Sequence, residues 1–416
     1  MNKIKSIKGT HDILPIECRK WQELEKIVHD ACSMHGYGEI RTPILEQTPL
    51  FQRSVGQETD IVTKEMYSWK DRDGSDITLR PELTASVTRS FIQHNLGIQN
   101  ATQRLYYMGP LFRRERPQKG RQRQFHQFGV EAFGSVNPEQ DAEIISIAWH
   151  ILSKCGLNDD VILHLNSLGS SECRIKYIDS LKEFISPKLD KFSETSQRRF
   201  SKNTLRILDT KSDHEKTILK NAPQISDYFT EEDENHFNQL QNYLKVLKIP
   251  FTINQKLVRG LDYYSRTVFE FTCSALGSQD ALLGGGRYDR LVEKLGGKST
   301  PGIGFAAGME RFLIAMEGKQ KEIRTNESKV FFVCTEEDGI PITLSLSQKL
   351  RNRGKEVIMD SRRRSMKAQL REANKLNARY ALILGREEID KSEIIVKDLI
   401  KGSQKKVEQS TLFDNL

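Results

Sequence analysis

No apolar run in this chain approaches the roughly 20 residues needed to span a bilayer, so no membrane helix is expected. The opening MNKIKSIKGTHDILP also lacks the long apolar core of a signal peptide. The six cysteines, Cys18, Cys32, Cys155, Cys173, Cys273 and Cys334, are scattered without one CxxC pair. That removes the spacing of a zinc site or a disulfide framework and points to a reducing cytoplasm. Nucleotide-loop signatures are missing too. Val292 stands where a P-loop leading to GGKST needs its first glycine, and Gly302, Gly304 and Ala307 satisfy GxGxxA without a surrounding βαβ unit.

What remains is a soluble, globular composition: 29% charged, 37% hydrophobic and a mean hydropathy of −0.56. At 416 residues the chain is long enough for two or three domains with substantial cores. A net charge of +8 suits a polyanionic partner such as RNA, but many proteins without such a partner are as basic.

The most informative stretch is RLYYMGPLFRRERPQKGRQRQFHQFGVEAFG, from Arg104 to Gly134. Arg104–Met108 and Phe125–Phe133 read as strands, joined by a long loop dense in arginine and punctuated by Pro117 and Gly120. Period two places Phe125, Gln127, Gly129, Glu131 and Phe133 on one face of the second strand and His126, Phe128, Val130 and Ala132 on the other. The second face is a packing face. An amide, a carboxylate and a space-leaving glycine on the first suit a pocket floor, although alternation alone is the usual mark of a half-solvated sheet. Guanidinium forks beside such a floor suggest a phosphate-bearing substrate.

Around this hairpin the chain reads in order. Helical spacing of Trp21, Leu24, Ile27, Val28 and Ala31 predicts a helix over 16–35, followed by the extended GEIRTPILE. In DITLRPELTASVTRSFIQ a strand ends near Leu79 and a helix begins near Glu82. A helix over 138–155 and the strand VILHLNSLG come next, then a Lys-, Glu- and Ser-rich helical insertion over about 170–247. LVRGLDYYSRTVFEFTC puts Arg259 and Gly260 in a turn ahead of an apolar strand, and LLGGGRYDRL supplies three glycines before Arg287 and Tyr288. PGIGFAAGMERFLIAM is a small-residue strand running into a helix with Glu310 and Arg311. After a charged linker over 317–329, the tail spells β-α-β-α-β-β.

Phe112-Arg113-Arg114-Glu115, the basic loop, Arg121 and Phe125 resemble motif 2 of the class II aminoacyl-tRNA synthetases; the helix over 16–35 with GEIRTPILE resembles motif 1 and PGIGFAAGMERFLIAM motif 3. RGLDYY and GGGRYDRL resemble the signature peptides of one branch, the histidyl-tRNA synthetases, and no class I HIGH or KMSKS motif occurs. The resemblance covers the chain in order. It implies an α+β fold: a class II catalytic core of antiparallel sheet flanked by helices over 1–325, carrying the helical insertion, and a C-terminal α/β anticodon-binding domain over 326–416. It implies ATP-dependent attachment of L-histidine to tRNA(His) through a histidyl-adenylate, and a cytoplasmic homodimer formed through the motif 1 region.

Residue by residue, the family pattern assigns catalysis to Arg113 and Arg259. It assigns histidine binding to Glu82, Thr84, Arg113, Gln127, Glu131, Arg259, Tyr263, Tyr264 and Tyr288, and ATP to Arg113, Glu115, Arg121, Phe125 and Arg311. Arg116 and Gln118 are the expected tRNA contacts, and the run Arg362, Arg363, Arg364, Lys367 and Arg371 suits RNA phosphates. Mg²⁺ is expected on the ATP phosphates with no protein metal site, Glu270 being the one candidate contact. Leu83 departs from the glycine common in bacterial members, leaving the local loop geometry open. Two non-enzymatic alternatives share the pattern: a histidine-binding regulatory paralogue, which typically lacks the C-terminal domain and parts of the signature peptides, and an RNA-binding protein with a silent synthetase fold. Prolyl, threonyl and glycyl synthetases share the architecture but are separated by Glu131 and RGLDYY.

Overall fold

A computed structural model describes residues 3–57, 59–118, 120–210, 212–277, 280–317 and 329–415. The chain divides into two compact units, one up to residue 318 and one from 319.

The larger unit is built on an eight-stranded sheet. Gln103–Phe112, Gln124–Phe133, Gly302–Gly308, Ala281–Arg287, Ser265–Cys273 and Val161–Ser167 pair antiparallel in that spatial order. Two-residue strands, Gly38–Glu39 and Thr252–Ile253, close the edges in parallel. A small antiparallel sheet of Leu45–Gln47, Asp76–Leu79 and Tyr67–Lys70 stands apart. The first hairpin strand runs four residues beyond the expected Met108, through Pro110 to Phe112. Proline fits there because the short edge strand pairs only with Leu105 and Tyr106, leaving that side of Pro110 without a strand that needs its missing N–H.

Each face of the sheet carries its own core. Phe128, Val130 and Ala132 pack with Trp21, Leu24 and Val28 of the helix Pro15–Met34, with Ile144, Ile147 and Ile151 of Pro138–Lys154, and with Phe312 of Met309–Ala315. On the opposite face Tyr107, Leu111 and Phe133 join Val87 and Phe91 of the helix Thr84–Gln93. The alternation read from the second hairpin strand therefore divides the two cores as expected, with Glu131 facing away from the first.

The insertion is helical as anticipated: Ser171–Ile185, Glu194–Lys202, Asp213–Ile218 and Glu231–Val246, linked by 3-10 turns. Its last helix is no excursion. Phe237, Leu240 and Leu244 enter the first core beside Pro138–Lys154, so the chain returns to the sheet before residue 247.

In the smaller unit Glu356–Met359, Lys329–Cys334 and Tyr380–Leu384 are parallel, and Glu393–Asp398 and Gln404–Glu408 add antiparallel strands. Val330 and Phe332 feed one core, Phe331 and Val333 the other, as expected for a sheet covered on both faces. The helix Arg386–Asp390 and the last strand were not legible. Gln404–Glu408 is lysine-bearing and almost wholly exposed, the composition of a protected edge rather than of a strand signal. The expected linker lies outside the described residues, except that Lys329 already begins a strand and Glu317 ends the first unit's description.

Candidate active site

Glu131 is the centre of the site. Hairpin register sets it opposite Leu105 with Tyr107 opposite Gly129, and the neighbouring strand sets Gly304 opposite Glu131. A Cβ at residue 304 would lie 1.8 Å from Glu131 Oε2, and one at residue 129 would lie 2.2 Å from the Tyr107 hydroxyl. The two glycines thus make the room that the carboxylate and the phenol occupy. Three hydroxyls donate to Glu131: Thr84 Oγ1 at 2.6 Å, Tyr107 at 3.2 Å and Tyr288. Thr84 reaches it from the first turn of Thr84–Gln93. Leu83, preceding that turn, has φ −109° and is buried in the second core, so the backbone there is one any L-residue adopts and a glycine is not required.

One cavity of about 210 Å³ opens over this arrangement, lined by Glu82, Thr84, Arg113, Gln127, Glu131, Arg259, Tyr263, Tyr264 and Tyr288. Every residue that the motif pattern singled out for the amino acid meets there. Gly284, Gly304, Phe305 and Ala306 are among the residues of its wall. A larger cavity, about 760 Å³, is lined by Arg41, Pro43, Glu46, Arg53, Arg89 and neighbouring residues and shares none of these groups.

The ATP candidates belong to the basic loop, to the strand Gln124–Phe133 that follows it and to the helix Met309–Ala315. Arg113 donates from Nε to the Pro81 carbonyl at 2.9 Å and lies 5.2 Å from the centre of the Phe125 ring. Glu115 is shared between Arg121 at 3.2 Å and Arg113 at 3.7 Å. Arg311 donates to the carbonyls of Gly120 and Ala281, which ties the loop to the helix Met309–Ala315. The loop is also held by Arg114 N donating to Glu65 O and Arg123 N donating to Gly9 O, both at 2.7 Å. Arg116 and Gln118 are exposed on its outer side. In the smaller unit, Arg363 and Arg364 of the basic run are paired with Glu337 and with Asp360 and Glu372, while Arg362 is exposed.

Burial governs the acids. Glu131 is pushed up from 4.5 to about 8 by desolvation, which outweighs the three hydroxyl donors. Glu82, whose Oε1 accepts the Ala85 amide at 2.8 Å, is raised to about 7 by the same cause, with the charge of Arg113 opposing. The helix-start role of Glu82 and its place in the cavity wall therefore coexist. A folded-state pKa above the unfolded value means the empty folded protein holds a proton that the unfolded chain releases. The Glu131 contribution is fully present below pH 4.5 and is lost as pH rises through about 8. Stability should fall across that window with a slope approaching 1.4 kcal/mol per pH unit, roughly the value for one proton. Glu131→Gln should flatten the melting temperature–pH curve; parallel curves for the two proteins would remove the burial argument.

Three features of the site escaped the sequence. Tyr107 belongs to the carboxylate's hydroxyl ring, which the strand register alone could have indicated. Glu270, the candidate metal contact, also pairs with Arg259, a partner the sequence did not signal. Glu310 accepts from the His126 amide at 2.9 Å and from its ring Nδ1 at 3.1 Å, with Trp21 edge-on to that ring, and so pins the strand between Phe125 and Gln127. Nothing in local periodicity signals a contact between residues 126 and 310.

Comparison with known proteins gives a consistent answer. A family model described as histidyl-tRNA synthetase matches residues 9–312, and an anticodon binding domain model matches residues 329–416. The chain is 44% identical over 414 residues to a histidine--tRNA ligase of Halothermothrix orenii, covering 99% of each. It is 45% identical over 404 residues to one of Syntrophotalea carbinolica, covering 97% of this chain and 96% of that one. Among solved structures, apo histidyl-tRNA synthetase of S. aureus superimposes with a TM-score of 0.85 at 36% identity, covering 99% of both chains.

Proposed function

This chain belongs to the histidyl-tRNA synthetase family, and we propose that the cavity around Glu131 is where it selects and activates its amino acid. The activity is the ATP-dependent attachment of L-histidine to tRNA(His) through a histidyl-adenylate, with release of AMP and pyrophosphate.

A neutral imidazole offers one N–H donor and one acceptor. Glu131 takes the donor, and the Tyr264 hydroxyl serves the acceptor. Glu82 and Thr84 sit at the start of their helix, where the α-ammonium is held, and Gln127 borders both groups. Arg113 and Arg259 face the junction between carboxylate and α-phosphate. Attack of the carboxylate oxygen on phosphorus accumulates negative charge there, and two fixed guanidinium groups stabilise it without a general base. Glu115 and Phe125 receive the adenine, with Arg121 and Arg311 on the γ-phosphate. Mg²⁺ enters with the ATP phosphates, and Glu270, which also pairs with Arg259, is its one candidate protein contact.

Arg116 and Gln118, exposed on the loop, meet the tRNA acceptor end, and the smaller unit reads the anticodon. The homodimer forms through the motif 1 region, the helix Pro15–Met34 and the extended segment after it, and six free thiols fit a cytoplasmic setting. No helix among the described residues is long and apolar enough to cross a membrane.

The observation that carries this reading is the convergence of Glu131, the Thr84 and Tyr288 hydroxyls that donate to it and both arginines on one cavity. Amino-acid-dependent ATP–pyrophosphate exchange without tRNA, run separately with each of the twenty amino acids, tests it. Exchange with histidine alone is the expected result; its absence with histidine overturns the reading.

A further inference from the structure

We infer that the helical insertion is part of the adenylation machinery itself, with Arg206 and Asn203 acting as positioning residues for the signature peptide that carries Arg259; this rests on the site reading given above. Arg259, Tyr263 and Tyr264 all line the cavity, yet the segment between them is irregular backbone. Its fixed points come from elsewhere. Arg206, in the 3-10 turn Thr204–Asp209, donates to the Gly260 carbonyl and lies 3.2 Å from Asp262 Oδ1. Asn203 Nδ2 donates to the same Asp262 oxygen at 2.7 Å. Arg174, in the insertion's first helix, donates to the Tyr264 carbonyl at 3.0 Å. Three insertion side chains therefore grip residues 260, 262 and 264, the last being the cavity-lining Tyr264 itself.

On its other side the peptide meets the helix Thr48–Val55, where Leu261 packs beside Leu50, Phe51 and Val55. Asp262 N donates to Val55 O at 3.2 Å, and Asp262 Oδ2 lies against Gly56, where a Cβ would come within 2.3 Å. Gly260 has open space where a side chain would go, so packing does not fix the residue next to Arg259. Its carbonyl is fixed by Arg206, whose side chain is only 16% exposed. Asp262 is thus a joint between the helix Thr48–Val55, the signature peptide and the insertion. A shift of the insertion passes to Arg259 through three residues of chain.

An insertion that only holds tRNA has no bearing on a reaction run without tRNA, and that separates the two roles. In ATP–pyrophosphate exchange with histidine and no tRNA, Arg206→Ala should lower kcat about 10- to 100-fold, the scale of a sub-ångström to 1 Å misplacement, with a much smaller change in KM for histidine. Arg206→Lys keeps the charge and one contact, and should recover part of the loss. Asn203→Asp, which sets a second carboxylate against Asp262, should lower kcat in the same way, so the inference does not depend on how well Arg206→Ala folds. Wild-type kcat in both Arg206→Ala and Asn203→Asp, even with aminoacylation reduced, overturns the inference and leaves the site reading intact. A wild-type protein that shows no histidine-dependent exchange overturns both.

Discussion

Glu131→Ala should abolish histidine activation, with exchange falling by about 10⁴-fold, the range over which a site built to hydrogen-bond a polar group rejects a mismatch. The expectation follows from what surrounds the carboxylate. Glu131 is fully buried, Thr84, Tyr107 and Tyr288 donate to it, and Gly304 is bare opposite so that it fits. Truncation leaves three hydroxyls without their common acceptor and the imidazole N–H without a partner in a place water reaches poorly. The fold should survive, because the lost group is an acid whose ionised form burial already disfavours. Melting temperature at pH 6 and histidine affinity by calorimetry check the two halves separately. Unchanged histidine kinetics would remove Glu131 from the pocket.

Gln in place of Glu131 separates charge from shape. It keeps the volume over Gly304 but cannot ionise, so activity should drop less than with Ala. Above pH 8 the variant should be the more stable protein when empty, because the wild-type acid is then being ionised in a buried site.

The legibility of this molecule was uneven in a physically regular way. Period-two alternation over 125–133 assigned both faces of the central strand, because one face had to be apolar to pack on Pro15–Met34 and Pro138–Lys154. The same alternation marked Glu131 and Gly129 as floor residues, and the motif pattern gathered groups from residues 82 to 288 into one cavity. What escaped was set by pairing between distant strands. Gly304 is essential to Glu131 only because those residues face each other across two strands far apart in sequence. Tyr107 needed only the hairpin register that sets it opposite Gly129. The helix Glu231–Val246 read as part of a polar insertion because only one of its stripes, Phe237, Leu240 and Leu244, is apolar, and no local signal says which core that stripe enters. Edge strands such as Gln404–Glu408 are polar by function and carry no pattern to read.

Gly284→Ala should be the most selective lesion in the site: a folded protein that binds histidine and activates it about 10²- to 10³-fold more slowly, the loss typical of one displaced donor to a developing negative charge. The Arg259 guanidinium lies directly over this glycine. An added Cβ would come within 2.3 Å of Nη2 and 2.5 Å of Nη1. The obstructed atoms are the far end of a flexible side chain, so the strand keeps its pairing with Ser265–Cys273 while the guanidinium leaves its place beside Glu270. Gly285→Ala, one residue along, meets the Gly304 carbonyl at 2.1 Å, an atom of the sheet that cannot swing aside, and should melt far below wild type. A displacement mechanism makes a stricter demand than a fall in rate. In an Arg259→Ala background Gly284→Ala has nothing left to displace, so the double variant should be no slower than Arg259→Ala alone. Additive losses would mean that the new methyl group acts on the sheet, and that Arg259 is not the residue Gly284 exists to accommodate.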